Sequence, residues 1–197
     1  MSVLTIASSK GGPGKTTVAM LLAGRLAADG FKIAAIDADP AGAFMRWAQN
    51  TYEGPRFAAF AETDETQLAH LIDTENQTAD LVLVDTAGFG NRAAAVAMTS
   101  ADAVLIPTLA GEPDITEAAR VLLNRVRRTQ LARHAAREIA SAALPMLAAT
   151  LADLVAYGEM TFSGRIPDQG LAAEEVTRLA AELRAIGWIP QRQDVLT

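Results

Sequence analysis

The stretch Val3-Leu4-Thr5-Ile6-Ala7-Ser8-Ser9-Lys10-Gly11-Gly12-Pro13-Gly14-Lys15-Thr16-Thr17 decides the fold. It opens as a short apolar run of strand type and turns through three glycines. It then enters a helical pattern in which Val18, Leu21, Leu22 and Leu26 recur on one face before Gly30 ends it. A strand, a glycine-rich turn and a helix in that order make a phosphate cradle. Gly11, Gly12 and Gly14 let the backbone turn tightly and aim N–H groups at phosphate oxygens, and the helix adds its positive N-terminal end. Lys15 then stands beside the β- and γ-phosphates of a nucleotide, Thr16 offers its hydroxyl to Mg²⁺, and Thr17 reaches for the α-phosphate.

Outward from this loop, short apolar runs alternate with helical periodicity. Strands are expected at residues 3–7, 32–36, 56–60, 81–84 and 103–107, with helices at 16–29, 65–73, 91–99 and 169–186. Leu81-Val82-Leu83-Val84 and Val104-Leu105-Ile106 are apolar at every position, which suits strands covered on both faces. The pattern is that of an α/β fold, a mostly parallel twisted sheet with helices on both faces. No repeat, low-complexity tract or long linker divides the chain, so residues 1–197 read as one domain. Residues 115–144 fit either one long helix or a short helix, a strand at 121–126 and a second helix.

Half of the residues are apolar and a fifth are charged, an ordinary balance for a globular protein. The chain has no cysteine, which excludes disulfides, thiolate metal sites and cysteine nucleophiles. His70 and His134 have no ligand-spaced partner, so no transition-metal site is expected. No apolar stretch approaches the length of a spanning helix, and the N-terminus lacks the basic and apolar regions of a signal peptide. A cytoplasmic protein with no membrane attachment is expected.

Lys10-Gly11-Gly12-Pro13-Gly14-Lys15-Thr16-Thr17 resembles the deviant Walker A motif of the ParA/MinD family of P-loop ATPases, with Ser9 in place of the usual first glycine. The resemblance implies a P-loop NTPase fold whose nucleotide loop is Gly11, Gly12, Pro13, Gly14, Lys15, Thr16 and Thr17. It also implies that Lys10 reaches across an ATP-dependent sandwich homodimer to the partner's nucleotide, acting with Lys15 in catalysis.

Asp37-Ala38-Asp39-Pro40 follows the second expected strand, where carboxylates face the ligand crevice of an α/β sheet. It resembles the Asp-x-Asp-Pro segment of the same family, which gives Asp39 the task of positioning the attacking water and Asp37 a place in the Mg²⁺ shell. Asp85, at the end of Leu81-Val82-Leu83-Val84, resembles the Walker B aspartate that holds Mg²⁺ through water. By the same resemblance the Gly88 amide is a γ-phosphate sensor. Many family members have proline after that aspartate, where this chain has Thr86-Ala87.

Arg120, Arg125, Arg127, Arg128, Arg133 and Arg137 form a basic run in a chain whose net charge is −6. Such a run is either a solvated helix face or a surface for DNA phosphates. ParA-type proteins bind nonspecific double-stranded DNA as ATP-bound dimers, and the resemblance assigns these arginines that task. Under the strand reading, Asn124-Arg125 resembles the strand end whose Asn contacts adenine. The last helix should bury Leu171, Val176, Leu179, Ala180 and Leu183, with an acidic face outward that does not suit anionic lipid.

The expected function is therefore a ParA-like ATPase using ATP and Mg²⁺. It would dimerise on ATP, bind DNA at the nucleoid, and respond to a ParB-like or cargo-adaptor protein that stimulates hydrolysis. A metabolic ATP-dependent synthetase on the same scaffold and a dimer switch with negligible turnover are the alternatives.

Overall fold

Strand β1 (Val3–Ile6) is buried along its whole length, as a continuous apolar run requires when both faces of a sheet are covered. A computed structural model describes residues 2–8, 12–88, 91–108, 119–126 and 145–191. After β1 come α1 (Lys15–Ala28), β2 (Ile33–Ala38), α2 (Ala43–Asn50), β3 (Ala58–Ala61), α3 (Glu65–Asn76), β4 (Leu81–Thr86) and α4 (Arg92–Thr99). Then follow β5 (Ala103–Thr108), β6 (Ala119–Val126), β7 (Met146–Ala152), α5 (Val155–Ser163) and α6 (Gly170–Ala185). The seven strands form one sheet in the order β3-β2-β4-β1-β5-β6-β7, and every pair is parallel.

Strand period places alternate residues on opposite faces. Leu4, Ile6, Leu81 and Leu83 pack under α1, α2, α5 and α6, against Val18, Leu22, Phe44, Trp47, Met160 and Leu179. Val3, Val82 and Val84 pack on the other face, against Leu68 and Ile72 of α3 and Ala93 and Ala97 of α4. β1 thus sits in the middle of the sheet, between β4 and β5, and delivers the glycine loop to its centre.

The α/β architecture is as expected, and residues 119–126 form a strand. Helices α2 and α5 were not among the expected elements, and two further departures have physical causes. β7 was not foreseen, because Met146-Leu147-Ala148-Ala149-Thr150-Leu151-Ala152 is alanine-rich and has helical propensity; pairing with β6 overrides it. Leu171, expected in the core, is 39% exposed, and α6 buries Ala172 and Glu175 in addition to Val176, Leu179, Ala180 and Leu183.

The outer edge of β7 is closed by carboxylates of α6. Glu182 accepts from the amides of Ala148 at 2.7 Å and Ala149 at 2.6 Å, and Glu175 accepts from the Ala152 amide at 2.9 Å. Occupying these N–H groups blunts an edge that could otherwise pair with another chain.

Candidate functional site

The register of the central strands assembles the site. Asp37 and Asp85 stand side by side at the ends of β2 and β4, and Asp85 is level with Ile6 of β1, from which the glycine loop departs. Of that loop, residues 9–11, including Lys10 and Gly11, lie outside the described residues. Gly12 at φ 89 and Gly14 at φ 87 are in the left-handed region, which side chains disfavour, so glycine is required at both. α1 starts at Lys15 with no side-chain cap, leaving its first N–H groups for a ligand.

Lys15 is buried, and its ammonium donates to Ser8 Oγ at 3.0 Å. That bond uses one of three N–H groups. Ser8 is a site residue the sequence reading did not single out.

Asp85 is 2% exposed, and neither of its carboxylate oxygens has a partner at hydrogen-bond geometry. Burial pushes its carboxyl up to about 7; the Thr16 hydroxyl and the Lys15 charge act in the opposite sense, while Asp37 and Asp39 add to the rise. A buried carboxylate without partners is costly unless a cation meets it. The oxygen donors of Asp85 and Thr16, next to a phosphate loop, fit Mg²⁺. That ion keeps several waters and takes one or two carboxylates plus phosphate oxygens. Among the described residues no group of three His, Cys, Asp or Glu could hold a metal ion.

Asp37 is differently employed. Its Oδ1 accepts from the Asp39 amide at 3.1 Å and its Oδ2 from the Met45 amide at 2.8 Å, so it ties the β2 end to the first turn of α2. Burial raises its pKa most, the Asp39 charge raises it further, and these amide bonds hold it down. Asp39 is half-buried at the rim, and its Oδ1 accepts from the Ala41 amide at 2.8 Å. Thr86 donates its hydroxyl to the Ile6 carbonyl at 2.9 Å and fastens β4 to β1.

Asn124 is buried and braces the loop. Its amide nitrogen donates to the Pro13 carbonyl at 2.7 Å and its oxygen accepts from the Arg125 amide at 2.8 Å. Arg125, at φ 52, extends its guanidinium to the Gly12 carbonyl at 3.3 Å. Beside them opens a cavity of about 260 Å³, lined by Thr17, Asn124, Arg125, Asp153, Leu154, Tyr157 and others. It lies next to the phosphate loop. Sequence reading missed Tyr157 as a wall residue; its spacing in α5 looks like any core aromatic.

The arginines do not form one patch among the described residues. Arg120 is half-buried with its guanidinium 5.7 Å from the ring centre of Trp188, whereas Arg125 is exposed at the other end of β6, at the phosphate loop. Arg127, Arg128, Arg133 and Arg137, and His134, lie outside the described residues; His70 is exposed on α3.

A central β1, a glycine loop opening α1, and carboxylates at the ends of β2 and β4 are the fold and site of the ParA/MinD class of P-loop ATPases. Comparison with known proteins agrees. The chain belongs to the family described as VirC1 protein, whose model matches residues 1–132. It is 36% identical over 123 residues to protein virC1 of Rhizobium rhizogenes, covering 60% of this chain and 53% of that protein. It is 33% identical over 122 residues to protein ParA of Rhizobium radiobacter, covering 62% of this chain and 55% of that protein. The chain thus spans about half the length of the curated relatives it matches. Its fold is similar to that of the septum site-determining protein MinD of Pyrococcus horikoshii OT3, solved as a complex with Mg-ADP. The TM-score is 0.70 at 18% identity, over 94% of this chain and 97% of that one. Among the described residues no helix is long and apolar enough to cross a membrane.

Proposed function

We propose that this chain binds Mg-ATP and hydrolyses it slowly, as an ATP-dependent homodimer that holds nonspecific double-stranded DNA and positions a cargo. Membership of a family of partition-type ATPases supports this reading. The observation that carries it is the buried, unpartnered carboxylate of Asp85 set between Thr16, Lys15 and Asp37 at the mouth of the glycine loop.

In this scheme the amides of Gly12, Gly14 and the first turn of α1 bind phosphate oxygens, and Lys15 turns from Ser8 to the β- and γ-phosphates. Asp85 and Thr16 hold Mg²⁺, with Asp37 behind them shaping the loop. Bound there, Mg²⁺ neutralises charge on the phosphoryl group in transfer. Asp39, at the rim, orients the attacking water, and Lys10 of the opposite protomer completes the charge stabilisation. Thr17 and the cavity by Tyr157 receive the nucleoside. Arg127, Arg128, Arg133 and Arg137 supply the contacts to DNA phosphates, which places the ATP form on the nucleoid, and a ParB-like or adaptor protein accelerates turnover.

The test is binding to a nonspecific DNA duplex with ATP, with ADP and without nucleotide, across a salt titration. Binding that requires ATP and falls steeply with salt is the expected result. ATP binding with no DNA binding in any state would remove the DNA part of the proposal.

A further inference from the structure

A buried carboxylate stands outside the phosphate site and has no part in the scheme above. Glu175 is 6% exposed, in an α6 face otherwise made of Ala172, Val176 and Leu179. An apolar residue there would avoid the cost of burying a charge. One oxygen, Oε2, receives both of its hydrogen bonds: from the Tyr157 hydroxyl at 2.8 Å and from the Ala152 amide at 2.9 Å. Both donors belong to the wall of the cavity beside Thr17. Tyr157 is its side on α5, and Ala152 begins the turn through Asp153 and Leu154 that closes it. Burial first, and then Glu175 as acceptor and as negative charge, raise the phenol above its ordinary range, so it stays protonated and keeps donating.

We propose that Glu175 is a positioning residue, which sets from α6 the wall that a nucleoside packs against and so governs affinity for the base and sugar rather than for the phosphates. This rests on the nucleotide reading of the site. The same helix supplies an internal control. Glu182, two turns further on, accepts from the Ala148 and Ala149 amides, and neither of those residues lines the cavity. Glu182 secures the same strand without touching the pocket.

The experiment measures, by calorimetry on the full chain with Mg²⁺, the affinities for ATP and for inorganic tripolyphosphate, which lacks base and sugar. The wild type, Glu175→Ala, Glu175→Gln, Tyr157→Phe and Glu182→Ala are compared. Glu175→Ala should weaken ATP about tenfold, the scale of one or two lost hydrogen bonds, and leave tripolyphosphate within about twofold. Glu175→Gln should retain most ATP affinity, because its single amide oxygen can accept both bonds. Glu182→Ala should lower thermal stability yet bind both ligands as the wild type does. Equal losses for ATP and tripolyphosphate in Glu175→Ala, or no loss for either, overturn the proposal. Should Glu175→Ala fail to fold, Tyr157→Phe decides: a loss of about threefold for ATP alone supports the proposal, and unchanged ATP affinity overturns it. A wild type that binds neither ligand overturns the nucleotide reading itself, a result seen before any variant is compared.

Discussion

Gly14 and Asn124 are fitted to each other across the chain: a Cβ on Gly14 would collide with the Asn124 amide nitrogen, the same atom that donates to the Pro13 carbonyl at 2.7 Å. The phosphate loop is therefore held from β6 as well as by its own glycines. Gly14 also sits at φ 87, where a side chain costs about 1–2 kcal/mol. Gly14→Ala should thus weaken ATP binding about a hundredfold, through collision and strain together. Asn124→Ala should weaken binding about tenfold by freeing the loop. The double variant should bind better than Gly14→Ala alone, because the collision is gone, with a coupling of about 1 kcal/mol or more. Titration of a fluorescent ATP analogue against the four proteins checks this; strict additivity would show that the two residues act apart.

Asp85 should trade stability for function, and pH should reveal it. Its carboxyl is raised to about 7 by burial, against about 3.9 in an unfolded chain. Between those values the folded chain holds a proton that the unfolded chain has lost. Its contribution is therefore fully favourable at low pH and is lost as pH rises toward 7. Asp85→Asn removes this loss. In EDTA the variant should melt near the wild type at pH 4 and several degrees above it at pH 8. With Mg-ATP at pH 8 the order should reverse, since the wild type gains ligand stabilisation and the variant does not. Thermal melts under these three conditions suffice, and a variant less stable than wild type in EDTA at pH 8 would refute the idea.

The candidate site was legible in sequence wherever a local motif marks it. Lys15, Thr16, Asp37 and Asp85 were singled out from a glycine turn and two strand ends, and the register of β1, β2 and β4 brings those strand ends together beside the loop. What could not be read depends on contacts distant in sequence. Glu175 sits in an acidic helix that reads as solvent-facing, and only its docking on Tyr157 and Ala152 buries it. Asn124, assigned to the adenine by resemblance, also bonds to Pro13, over a hundred residues away, and to Arg125, a bracing role that no local pattern announces. β7 was invisible because an alanine-rich edge strand has no polar–apolar alternation and, apart from Thr150, no β-branched residue to mark it.

Asp39→Ala should separate binding from turnover. Asp39 lies at the rim, and its Oδ1 accepts from the Ala41 amide of its own turn. Its loss should leave the ATP dissociation constant within about threefold and lower kcat roughly a hundredfold, the scale of removing a group that orients the attacking water. Steady-state phosphate release, with ATP affinity measured in parallel, is the readout. Unchanged turnover would take Asp39 out of the mechanism.

The arginines should divide into two kinds. The Arg120 guanidinium is committed to the Trp188 ring, 5.7 Å from its centre, and is half-buried. Arg120→Ala should therefore cost about 0.5–1 kcal/mol of stability and leave the salt dependence of DNA binding alone. Replacing Arg127 and Arg128 together should do the opposite. Stability should hold, while the slope of log affinity against log salt flattens by about 2, one unit for each lost phosphate contact. DNA titrations at four salt concentrations, paired with thermal melts, resolve the two patterns. If Arg120→Ala flattened the slope as much as the double variant did, Arg120 would have to leave Trp188 on DNA, and the Trp188 fluorescence should then change when DNA binds.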